Sequence, residues 1–147
     1  MYEHLSPRVE KVIKLANRIA REYGQEYVGT EHVLLAIVEE GTGKGVQILA
    51  NHKLDSEKVK AEIDRLIEKS LEDTWVFGRL PGTPHFRNVV ARAIDEARAL
   101  GSREVCTEHL LLGLLREKGS VAYNALTSLG LELDRVREEI AQLGTTA

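Results

Sequence analysis

The chain has one cysteine, three prolines and one tryptophan in 147 residues. A lone Cys106 excludes an internal disulfide framework and fits a reduced, cytoplasmic setting. The scarcity of proline and of alternating apolar–polar runs leaves little material for sheet and points to an all-α chain. There is no basic excess: 20 Lys and Arg face 23 Asp and Glu, for a net charge of −3. No nucleic-acid partner is therefore expected. No apolar run nears the roughly 20 residues that span a bilayer, so no membrane partner is expected either. The start, "MYEHLSPRVEKV", lacks the apolar core of a signal peptide. What is present is 43% hydrophobic and 29% charged, the balance of a globular protein.

The pattern in that material is an internal repeat. Shifted by 77 residues, 6–60 matches 83–137 without a gap. Pro7 falls on Pro84, Ala16 on Ala93 and Gly24 on Gly101. Thr30-Glu31-His32 falls on Thr107-Glu108-His109, and Leu34-Leu35 on Leu111-Leu112. This predicts eight helices, two pseudo-symmetric sets of four, in one domain spanning 1–147. Repeat one is 6–69, the connector 70–82 and repeat two 83–143.

In each repeat the first helix opens on a hydroxyl N-cap, Ser6 or Thr83, with proline at the first helical position. Its inner face is Val9, Val12, Ile13, Ala16, Ala20 and Tyr23, and Gly24 or Gly101 stops it. The second helix runs from Thr30 or Thr107, its presumed cap, to near Gly41 or Lys118, and is apolar on most sides, as a central helix is. Short third helices are expected at 44–52 and 120–129. Fourth helices are expected at 56–69 and 133–143, with Asp55 capping the former. The connector carries Trp75, Val76 and Phe77. It either packs on the repeats or offers an apolar patch to a partner.

The motifs that suggest chemistry do not hold up. "EEGTGKGV" at 39–46 lacks the first glycine and the Ser/Thr of a phosphate loop, follows no strand and is absent from repeat two. It reads as a helix–helix turn, and no nucleotide cofactor is expected. Each Thr-Glu-His step offers one histidine, not the paired imidazoles of a helical zinc site, so no metal is expected. The plainer reading has His32 and His109 partly buried and hydrogen-bonded at a helix start. Cys106 is matched by Gly29, so the architecture requires no thiol, and no catalytic residue is assigned.

One constellation survives. Each hydroxyl-capped helix start precedes a glutamate by 25 residues, Ser6 before Glu31 and Thr83 before Glu108. Helix N-termini hold anions, and a carboxylate accepts a guanidinium in bidentate fashion. Together they would suit a ligand with a phosphate or carboxylate at one end and an arginine-like cation at the other. The same residues also serve as ordinary caps and first-turn acids.

"SPRVEKVIKLANRIAREYGQEYVGTEHVLLAIVEEGTG" and "TPHFRNVVARAIDEARALGSREVCTEHLLLGLLREKGS" resemble the double repeat of the Clp N-terminal domain of ClpA- and ClpC-type AAA+ unfoldases. The resemblance covers about 5–143. It implies a non-catalytic module that docks adaptor or substrate proteins and works with Clp ATPase and protease components. In ClpC-type members such domains bind phosphoarginine, and the matching positions are Ser6 with Glu31 and Thr83 with Glu108. This sequence departs from the pattern at Cys106, where glycine is usual, and in its aromatic connector. No ATPase motif occurs in the 147 residues. The chain thus reads as a domain of a longer unfoldase or as a stand-alone accessory subunit that modulates a Clp complex without binding substrate.

Overall fold

The computed structural model describes residues 5–24, 28–74 and 83–145, with the side chains of 67–74, 83, 84, 144 and 145 outside that description. Its elements are α1 (Pro7–Glu22), α2 (Thr30–Glu40), α3 (Lys44–Asn51), α4 (Ser56–Thr74), α5 (Thr83–Ala99), α6 (Thr107–Arg116), α7 (Val121–Ser128) and α8 (Leu133–Thr145). There is no strand among the described residues, and the architecture is all-α. The Trp75–Phe77 stretch lies outside them. No described helix is long and apolar enough to cross a membrane.

The helices start and stop for the expected local reasons. Ser6 caps α1, its Oγ accepting the Val9 N–H at 3.2 Å. Gly24 and Gly101 end α1 and α5 at φ of 73° and 74°, a left-handed conformation costly for other residues. The Asp55 carboxylate accepts the Lys58 N–H at 2.9 Å and caps α4. That helix continues to Thr74, past the expected end at 69, because no glycine or proline interrupts the chain until Gly78.

Every residue from Thr30 to Ile37 is buried, and so is every residue from Thr107 to Leu115, which places α2 and α6 at the centre. The buried apolar side chains of both repeats form one cluster. Helix α5 lies especially close on α6. A Cβ at Gly113 would come within 2.5 Å of the Val89 carbonyl oxygen, whereas repeat one has Ala36 at the equivalent place.

The repeats interlock rather than stand side by side. The Thr107 Oγ1 accepts the Gly45 N–H at 3.1 Å, and the Thr30 Oγ1 accepts the Ala122 N–H at 3.2 Å. Each threonine therefore satisfies a free N–H in the first turn of the other repeat's third helix. This corrects the expectation that Thr30 and Thr107 cap their own helices. Gly29 and Cys106 hold the N-cap positions there. The reciprocal bond comes from histidine: the Gly29 N–H donates to His32 Nδ1, and the Cys106 N–H to His109 Nδ1, each at 2.8 Å. The third residue of the step does the capping, because the first is committed across the interface.

Candidate functional site: a pocket shared by the repeats

The same interlocking brings the start of α1 against the loop before α6. Leu5 pairs with Val105 in a single parallel bridge, and the Ser6 N–H donates to the Val105 carbonyl at 3.0 Å. The start of α1, the α2–α3 turn and the start of α6 enclose a pocket of about 510 Å3. Ser6, Arg8, Lys44, Cys106 and Glu108 line it. Glu31 does not.

The pocket has a positive and a negative element. Pro7 has no N–H, the Val9 N–H goes to Ser6 Oγ and the Glu10 N–H to the Ser6 carbonyl. The Arg8 N–H is left at the positive end of the α1 dipole. Arg8 donates through Nε to Thr42 Oγ1 at 2.8 Å and lies 3.9 Å from Glu40. Lys44, the first residue of α3, has no ion pair with any described residue. On the other wall is Glu108, only 6% exposed, which forms no hydrogen bond or ion pair with a described residue. The residue is buried, but its carboxylate oxygens are open to the pocket.

Position 29/106 sets the direction of each glutamate. A Cβ at Gly29 would overlap the Glu31 carboxylate, which folds back over the glycine. The backbone at Cys106 (φ −110°, ψ 176°) closely matches that at Gly29 (φ −102°, ψ 172°), so the cysteine Cβ denies Glu108 that position. Glu108 lines the pocket instead.

Glu31 is 3% exposed and answers to α5. Burial pushes its carboxyl up, while its own backbone N–H and the nearby His85 pull it down. His85 takes the place of Arg8 in the repeat register, and its Nδ1 lies 2.6 Å from Glu117, the counterpart of Glu40. Glu117 also accepts from Asn88 and Arg92, each at 2.9 Å. Burial favours the neutral acid at Glu117, but those donors outweigh it and hold the carboxyl below its usual range. Thr83 opens α5, and its side chain lies outside the described residues. The pairing within each repeat, Ser6 with Glu31 and Thr83 with Glu108, thus gives way to a crossed one. Ser6 of the first repeat meets Glu108 of the second, and Glu31 of the first faces the helix that Thr83 opens. Arg8, Thr42 and Lys44 were not singled out as site residues. Thr42 and Lys44 lie in "GTGK", whose pattern suggests only a nucleotide loop, and Arg8 has no motif of its own.

The pocket has no reactive arrangement. Burial pushes the Cys106 thiol up, Glu108 and Glu104 add to the effect, and Ser6 and Lys44 oppose it, so the thiolate is scarce. Cys106, Glu108 and His109 bring ligand atoms within 4.8 Å of one another. However, the His109 Nδ1 lone pair is already committed to the Cys106 N–H. In repeat one the sulfur is absent at Gly29, so the donor set is poor for a metal in both copies. His32 is pulled down to about 4 by burial, and its Nε2 has no partner. The ring packs edge-on against Tyr23 at 5.8 Å. It is a neutral structural group.

The profile of the Clp repeat (R) N-terminal domain matches residues 4–78 and 81–146. The chain is 37% identical over its whole length to the ATP-dependent Clp protease ATP-binding subunit ClpA homolog of Guillardia theta, and spans 18% of that protein. It is 38% identical over 97% of its length to the negative regulator of genetic competence ClpC/MecB of Bacillus subtilis (strain 168), of which it spans 17%. In fold it is similar to the N-terminal domain of the chaperone ClpD from Arabidopsis thaliana. That likeness has a TM-score of 0.66 at 16% identity and covers 100% of this chain and 97% of that one. The chain belongs to the Clp repeat N-terminal domain family.

Proposed function

We propose that the chain is a recognition module of a Clp unfoldase or protease system, and that its inter-repeat pocket, with a second site around Glu31, reads phosphoarginine-like groups on substrate or adaptor proteins. The observation that carries this is Glu108, a residue held in the protein with its carboxylate open to the pocket and without a partner among the described residues, in one pocket with a helix N-terminus and two cations. A phosphoryl group would take the Arg8 N–H end of α1, with Arg8 and Lys44 at hand. A guanidinium would supply the partner Glu108 lacks, by two parallel N–H···O bonds. Ser6 contributes by fixing the helix start, since its Oγ is held by the Val9 N–H. At the second site Glu31 has the carboxylate role and the start of α5, with Thr83 and His85, the anion role.

Calorimetric titration with free phosphoarginine tests the reading. Two sites are expected, one lost in Glu108→Gln and the other in Glu31→Gln. Absence of binding to the unsubstituted chain would overturn it. Co-purification with a Clp ring that is indifferent to both glutamates would favour an accessory subunit that never meets substrate.

A further inference from the structure

The first repeat leaves open a groove that the second fills with its own side chains. The C-terminal halves of α1 and α2 and the start of α4 bound an opening of about 400 Å3. Ile19, Leu35 and Val38 form its floor, and Glu22, Glu39 and Glu57 stand around it. The 77-residue register turns Ile19 into Glu96, Glu39 into Arg116 and Lys60 into Arg137. In the second repeat Arg116 reaches Glu96 at 3.1 Å and Arg137 reaches it at 2.7 Å, so two guanidinium groups tie α6 and α8 to α5. Those links hold the Glu96 carboxyl below its usual range, the Arg137 hydrogen bond being the strongest cause.

None of these links exists in the first repeat. Glu39 turns outward to Arg18 at 2.7 Å, and Lys60 turns along its own helix to Asp64 at 3.5 Å. Ile19 leaves hydrocarbon where Glu96 offers charge. Glu57, exposed in the first turn of α4, has no ion pair with any described residue. So the second repeat seats its own arginines at this point of the fold, and the first presents an apolar floor with Glu57 unpaired at its rim, Lys60 beside it, and Glu22 and Glu39 sharing Arg18 at 3.6 and 2.7 Å. The complement of that surface is an aliphatic side chain carried next to a cation.

We propose that this groove docks a short segment of a partner protein in which an aliphatic side chain lies on Ile19 and Leu35 and a neighbouring arginine or lysine pairs with Glu57. The groove shares no lining residue with the pocket of Ser6 and Glu108, and the proposal does not rest on the phosphoarginine reading.

The test uses the whole chain and a fluorescein-labelled peptide of alternating leucine and arginine, followed by anisotropy and by amide chemical-shift mapping. Saturable binding is expected, with shifts centred on Ile19, Tyr23, Leu35 and Val38. A peptide with glutamate in place of arginine should bind about tenfold more weakly. So should the triple variant Ile19→Glu, Glu39→Arg, Lys60→Arg, which writes the second repeat's network into the first. Should that variant fail to fold, Glu57→Lys at the exposed rim gives the same comparison, with a loss of about threefold to tenfold. Shifts located elsewhere, equal binding of the glutamate peptide, binding unaffected by the variants, or no saturable binding at all would each overturn the proposal.

Discussion

Replacing Thr107 with valine isolates one of the two bonds that tie the repeats together. Valine keeps the size and branching of the side chain and exchanges a hydroxyl for a methyl. Thr107 is 1% exposed and accepts the Gly45 N–H at 3.1 Å, so the change leaves a buried donor unpaired in the first turn of α3. Such a donor costs about 1–3 kcal/mol, and the added methyl returns a little under about 1 kcal/mol. The net loss of about 1–2 kcal/mol lowers Tm by about 3–6 °C in a chain of this size. Thr30→Val should act equally through the Ala122 N–H, and the two losses should add, because the bonds share no partner. Calorimetry measures the loss, and hydrogen exchange locates it. Deprotection should appear at the Gly45 end of α3, in the other repeat, while the Cys106–His109 bond keeps the start of α6 closed. A Tm unchanged within about 1 °C, or deprotection confined to α6, would refute the reasoning.

Further outcomes follow from the buried groups. His32 lies near 4 in the folded chain against an ordinary value of 6.5, so the unfolded chain takes up the proton first. Its contribution is complete above pH 6.5 and is lost as pH falls toward 4, by about 3 kcal/mol in all. His109 is shifted in the same direction, again by burial. An NMR titration in which the His32 ring protonates near 6.5 would contradict this. Gly113→Ala should cost about 1–3 kcal/mol in urea denaturation, because the new methyl meets the Val89 carbonyl, which α5 cannot move aside locally. A gain in stability, as for an ordinary helical Gly→Ala change, would show that the helices separate freely. The two pockets should bind phosphoarginine unequally, since Lys44 is matched by Val121 and Arg8 by His85. Lys44→Val should weaken the tighter site alone, and equal affinities in a two-site fit would contradict the assignment.

The features legible in the sequence were those that each repeat carries within itself. Ser6 and Asp55 announced helix starts, Gly24 and Gly101 announced stops, and the apolar run after each Thr-Glu-His step announced a central helix. Pairing between the repeats could not be read. A shift of 77 residues moves Ser6 onto Thr83 and Glu31 onto Glu108 together, so self-similarity is the same whether the hydroxyl start meets its own glutamate or the other repeat's. Only the Leu5–Val105 bridge and the two threonine bonds decide it. The capping error has the same origin. Threonine and histidine can both cap a helix start, and a contact from the other repeat determines which of them is free to do so. Helix α4 outruns its expected end at 69 because the repeat pattern fades there, whereas nothing in the sequence breaks a helix before Gly78.

The central claim is that each pocket is built from both repeats, and the stoichiometry of phosphoarginine binding tests it most directly. Lys44 and Glu108 come from different repeats but line one pocket, whereas Glu31, from the same repeat as Lys44, does not line it. Isothermal titration of the double variant Lys44→Glu, Glu108→Gln should show one remaining site. The double variant Lys44→Glu, Glu31→Gln should show none. The reverse result, one site in the second variant and none in the first, would place each pocket within a single repeat and contradict the account.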